Sequence, residues 1–100
     1  MLVAAMNVSA LPAPPPDPVL AGPADLGRVL RAARKAGGLT LEQAAAGLGI
    51  AKQTLQNLER GTGTVGLGIA LRVAAELGVT LFTAPSGQKD QVRHWLLQRS

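Results

Sequence analysis

The chain contains no cysteine and no tyrosine, and in 100 residues it has one histidine, one tryptophan and one phenylalanine. Without thiols no disulfide can staple the fold, and with His94 as the sole imidazole no zinc site of the usual Cys/His kind can be assembled within one chain. The core must therefore hold the structure, and 47% hydrophobic residues are enough for one small domain. Two rings, Phe82 and Trp95, are too few for the stacking platforms on which single-stranded nucleic acids are read. Serine is also scarce, being confined to Ser9, Ser86 and Ser100. The only acid at helical spacing from His94 is Asp90, and such surface pairs are usually weak ion pairs. The expectation is a protein without enzymatic activity, cofactor or metal.

Long apolar runs are missing too. Residues 65–84 are the most hydrophobic stretch, but Arg72, Glu76 and several glycines interrupt it, so no membrane span is expected. Residues 1–10 carry no Lys or Arg ahead of their apolar run and lead straight into prolines, unlike a signal peptide; a cytoplasmic location is expected. Residues 11–23 hold six prolines in thirteen positions, which predicts a disordered Pro-rich arm over 1–23. That arm reads either as an inert leader or as a proline-rich ligand. Its only charge is Asp17, so the ten basic side chains all lie between Arg28 and Arg99 and outnumber the five remaining acids. The positive field belongs to the folded part, and it leaves open binding to duplex nucleic acid through phosphates.

From Asp25 onward the period is helical. Leu26, Val29, Leu30 and Ala33 form one stripe, and Gly37-Gly38 supplies a stop. Thr40 and Gln43 have the spacing of a capping box, opening a second helix with Leu41, Ala44, Ala45 and Leu48 on one face, ended by Gly49. A third helix carries Leu55 and Leu58 inward and ends at Gly61. Gly61, Gly63 and Gly66 spell a G-x-G-x-x-G, but a dinucleotide fingerprint needs a strand before it, and here a helix precedes it. A fourth helix places Ala70, Val73, Ala74 and Leu77 on one face and ends at Gly78. Residues 79–83, VTLFT, are β-branched and aromatic and predict a short strand; residues 88–99 predict a last helix with Val92, Trp95 and Leu96 on one side.

The second and third helices, joined at Gly49, have the makings of a helix-turn-helix. Ala45 is small enough for a close crossing, Gly49 permits the sharp turn, and Leu48, Ile50, Leu55 and Leu58 anchor the pair. The outer side of the third helix, Lys52, Gln53, Gln56 and Asn57, carries one charge and three amides, groups that match the donor and acceptor pairs of base edges in the major groove.

Residues 26–78 resemble the XRE or Cro family of lambda-repressor-like DNA-binding domains. The segment GLTLEQAAAGLGIAKQTLQNLERG follows that family's layout without a gap, with one departure: Leu41 stands where the family often has Gln, which removes a backbone contact at the start of the second helix. The resemblance implies an all-α fold of four to five helices, with the helix-turn-helix DNA-binding domain over residues 24–78. It implies base contacts from Lys52, Gln53 and Asn57, phosphate contacts from Thr40, Gln43, Thr54, Gln56 and Arg60, and a structural ion pair between Arg34 and Glu59.

The tail, residues 64–85, further resembles HipB-like antitoxins, in which a strand after the fourth helix pairs with its twin in a second protomer. That resemblance implies a homodimer held through a strand at Val79, Thr80, Leu81, Phe82 and Thr83, with Trp95 as a further contact, so that residues 79–100 form a dimerisation segment. The expected function is a repressor that covers an inverted-repeat operator in double-stranded DNA, with a HipA-like kinase toxin as partner. Two alternatives stand beside it: a stand-alone XRE regulator of a phage, restriction or metabolic operon, and a protein-interaction module of the same fold without DNA binding.

Overall fold

The computed structural model describes residues 17–98. It contains α1 (Pro23–Ala36), α2 (Leu41–Leu48), α3 (Lys52–Arg60), α4 (Leu67–Glu76), a 3-10 turn (Ser86–Gln88) and α5 (Lys89–Gln98). The first sixteen residues of the expected arm lie outside the described residues.

α1 begins earlier than the apolar period indicates. Pro23 occupies its first turn, where a missing N–H costs nothing and a fixed φ favours the helix, and Asp25 adds an acid at the positive end. At the other end the chain turns through Gly37 and Gly38, with Leu39 N–H donating to the Arg34 carbonyl at 3.2 Å. α2 opens on a complete capping box: Gln43 N–H donates to Thr40 Oγ1 at 3.0 Å, and Thr40 N–H donates to Gln43 Oε1 at 2.9 Å. For a helix of eight residues this cap is a large share of its local stability. Thr40→Ala is expected to cost about 1 kcal/mol in chemical denaturation, while Thr40→Ser leaves stability nearly unchanged.

Gly49 and Gly61, both left-handed at φ near +70°, bracket α3. The first lets α2 turn into α3 in three residues, and Ile50 N–H closes the turn on the Ala45 carbonyl at 3.1 Å. Nine side chains make the core: Leu30 from α1, Ala44, Ala45 and Leu48 from α2, Leu55 and Leu58 from α3, and Ala70, Val73 and Ala74 from α4. Four of the nine are alanines, so the helices approach closely around a small centre. α1 lies mainly against α3, and α3 against α2. Arg72 of α4 donates to the Leu48 carbonyl, fastening α4 to the end of α2.

The expected strand at 79–83 is not formed; the described residues contain no β-strand. Val79 N–H turns back to the Ala74 carbonyl at 2.8 Å, ending α4, and the chain then runs on without a ladder. Val79 and Leu81 pack against the core while Thr80 and Phe82 point outward. The alternation that suggested a strand is thus real as a burial pattern, but a strand needs a second backbone to bond, and one chain supplies none here. α5 follows the expected position, with Val92 and Leu96 half-buried and Trp95 51% exposed. The end of the arm is held down: Asp17 accepts from Val19 N–H at 2.9 Å and from Arg93 Nε at 3.1 Å, and the backbone amide first and the arginine second hold its carboxyl below the usual carboxylate range.

Candidate nucleic-acid interface

The outer side of α3 is polar, with amides between Lys52 at its start and Arg60 at its end. Lys52 and Gln53 stand exposed in its first turn, Thr54, Gln56 and Asn57 are half-buried, and Arg60 is exposed at its end. Gln53 and Asn57, one turn apart, are already joined: Gln53 Nε2 donates to Asn57 Oδ1 at 2.9 Å. That bond orients both amides before any ligand arrives and leaves Gln53 Oε1 and Asn57 Nδ2 facing outward as an acceptor and a donor. An adenine edge, with N6 donating and N7 accepting, presents the complementary pair.

Lys52 is not idle in the free protein. Its Nζ lies 3.1 Å from Glu42 Oε2 of α2, across the helix-turn-helix. The Glu42 carboxyl is held below the usual carboxylate range by its own backbone amide first and by Lys52 second. Sequence reasoning missed Glu42, because ten residues separate the partners and no local spacing brings them together. Thr40 and Gln43 are engaged with each other in the cap, which leaves the Gln43 Nε2 and the Thr40 hydroxyl proton for an outside acceptor. Arg60 has no ion pair among the described residues, and neither do Arg31 and Lys35 of α1. Beyond α3, Thr62 and Thr64 share a hydrogen bond of 2.7 Å, and Thr62 N–H donates to the Asn57 carbonyl at 3.2 Å, so the loop after α3 is held by its own bonds.

Beneath this face sits one buried charge pair. Arg34 Nε lies 2.6 Å from Glu59 Oε2, and Arg34 Nη2 donates to Glu59 Oε1 at 2.8 Å; both side chains are less than a tenth exposed. Arg34 Nη1 also donates to the Leu39 carbonyl at 2.9 Å. A single guanidinium therefore ties α1, the loop before α2 and the last turn of α3, and the Glu59 hydrogen bonds raise its pKa above that of an ordinary arginine. The pair thus joins these three segments at one buried point.

The other site residues fall into two groups. Val79 and Leu81 face the core, whereas Thr80, Phe82, Thr83 and Trp95 are exposed, Phe82 at 64%. The Asp90 carboxylate, the one acid placed near His94 by spacing, accepts from Arg93 Nη1 at 2.8 Å. No helix among the described residues is long and apolar enough to cross a membrane.

A comparison with protein families matches residues 30–83 to the helix-turn-helix family HTH_3. Searches among curated proteins and solved structures return no significant match. The match covers more than half of the chain, includes both helices of the motif, the buried Arg34–Glu59 pair and α4, and agrees with the all-helical fold around them. The chain belongs to the XRE-type helix-turn-helix family of DNA-binding regulators.

Proposed function

We propose that the protein is a transcriptional repressor that reads an inverted-repeat operator as a homodimer, with α3 in the major groove. The observation that carries this reading is the pre-oriented Gln53–Asn57 pair beside Lys52. Gln53, Asn57 and Lys52 make the base contacts. Thr40, Gln43, Thr54, Gln56 and Arg60 hold phosphates. Lys52 must exchange Glu42 for DNA, so binding trades one surface ion pair for a contact with the duplex. Two such helices in a dimer would lie about 34 Å apart, one turn of DNA.

For the dimer, α4 offers exposed apolar side chains, Leu67 at 71% and Leu71 at 48%. Val79 and Leu81 are occupied by the protomer's own core. The HipB-like reading, an antitoxin that also neutralises a HipA-like kinase toxin, drew on a strand at 79–83. The coil found there lends that reading no support, and the stand-alone regulator of a phage, restriction or metabolic operon does not depend on it. A kinase-like reading frame beside the gene, and co-purification with its product, would restore the antitoxin reading.

Mobility-shift titration against the DNA upstream of the gene tests the proposal. Log affinity is expected to fall with log salt by about 0.9 for each phosphate contacted. Gln53→Ala and Asn57→Ala should each lose about 1–3 kcal/mol at particular base pairs and little elsewhere, while Arg60→Ala weakens all sequences alike and lowers the salt slope by about one. A uniform loss for Gln53→Ala would remove it from the base-reading set.

A further inference from the structure

A second concave feature lies away from α3. The end of the arm, α1, the coil after α4 and α5 enclose a cleft of about 520 Å³, within the range of small-molecule sites. Its walls are apolar, with Leu26 and Val29 of α1 on one side, Val92 and Leu96 of α5 on another, and Phe82 from the coil. Two stretches far apart in sequence, 18–29 and 79–97, meet there, and the Asp17–Arg93 ion pair straps the arm to α5 beside it. Among the residues that line the cleft only Lys89 is ionisable. It is exposed, so it stands at the solvent edge, and it has no ion pair among the described residues. Both acids of this corner, Asp17 and Asp90, are bound to Arg93.

We propose that this cleft binds an aliphatic monocarboxylate, its chain against Leu26, Val29, Val92 and Leu96 and its carboxylate on the Lys89 ammonium. Charge complementarity selects the head group, since one unmatched cation at the rim of an apolar cleft is satisfied by one anion and not by a polyanion. The apolar walls require a tail, because a small carboxylate would leave them in water. α1 carries the consequence to the DNA-reading face. Leu26 and Val29 lie within one turn of Gly27, where α1 rests directly on the last turn of α3, so a ligand that shifts α1 shifts the recognition helix. That effector role rests on the proposed function; the binding itself does not.

Calorimetric titration of the full chain with decanoate, without DNA and below the concentration at which decanoate forms micelles, tests the site. Saturable binding of one decanoate per chain is expected. Decanol, with the same tail and no charge, should bind about tenfold more weakly, and so should decanoate to Lys89→Gln, each lacking one charge-assisted hydrogen bond. Lys89 is exposed, so this variant keeps the fold. Absence of saturation overturns the proposal, as does equal binding of decanol or full affinity in Lys89→Gln. Heat that follows protein dilution and not ligand would show a second copy of the chain in the cleft and overturn it equally. Because DNA is absent throughout, any of these failures leaves the operator-binding reading standing.

Discussion

Glu59→Ala is expected to lower the stability of the domain by about 3–5 kcal/mol, the cost of leaving a buried charge without its partner. Arg34 would keep only the Leu39 carbonyl, with Nε and Nη2 unsatisfied at a site less than a tenth exposed. Small domains hold about 5–15 kcal/mol in total, and 1 kcal/mol shifts Tm by about 4–8 °C at this size, so a fall of more than about 12 °C should be seen by circular dichroism. Surface pairs give the contrast. Arg72–Glu76 at 3.4 Å, half-exposed on both sides, should contribute well under 1 kcal/mol, and Glu76→Ala should barely move Tm. The double replacement Arg34→Met, Glu59→Leu should recover most of the loss, because what destabilises is the stranded charge and not the absence of a pair. If Glu59→Ala behaves like Glu76→Ala, the pair is solvated and does not set the position of α3. DNA affinity is expected to fall with Glu59→Ala even below the melting temperature, since the same guanidinium bridges α1, α3 and the loop before α2.

Much of this architecture was legible residue by residue. The capping box at Thr40 and Gln43, the left-handed stops at Gly49 and Gly61, and the stripes that bury Leu30, Leu55, Leu58 and Val73 follow from local rules with periods of three and four. Each concerns groups within one turn of each other. What escaped was set by contacts between distant segments. The Lys52–Glu42 bridge, the Arg72 bond to the Leu48 carbonyl and the Asp17–Arg93 strap span 10, 24 and 76 residues and have no spacing signature. The coil at 79–83 shows the converse error. Alternating Val, Thr, Leu and Phe report which side chains are buried, and a core in the same chain buries Val79 and Leu81 without any ladder. α1 starts two residues before Asp25, where the helical period was read to begin, because Pro23 fits its first turn.

Gly27 was passed over for a related reason, since a glycine inside a helical stripe looks only like a weak point. Intrinsic propensity favours Ala there by about 0.8–1.0 kcal/mol. The packing reverses the sign. A Cβ at Gly27 would stand 2.7 Å from both the Glu59 carbonyl carbon and the Leu58 carbonyl oxygen, closer than real contacts allow. Both neighbours are backbone, so no rotamer change relieves the clash, and α1 must move away from α3. Overpacking of a tight contact costs about 1–3 kcal/mol even where side chains can yield. Gly27→Ala is therefore expected to destabilise by about 2 kcal/mol net, read as a lower midpoint in urea, despite the gain in propensity. Gly47 in α2 provides the matched control: nothing lies within 4 Å of an added Cβ there. Gly47→Ala should accordingly stabilise by about 0.5–1 kcal/mol, the propensity effect alone. If both substitutions stabilise, α1 does not rest on the last turn of α3 through Gly27. If they part as expected, the loss of DNA affinity in Gly27→Ala should exceed what its unfolded fraction explains. Separating α1 from α3 also pulls Arg34 from Glu59 and re-aims the amides of Gln53 and Asn57.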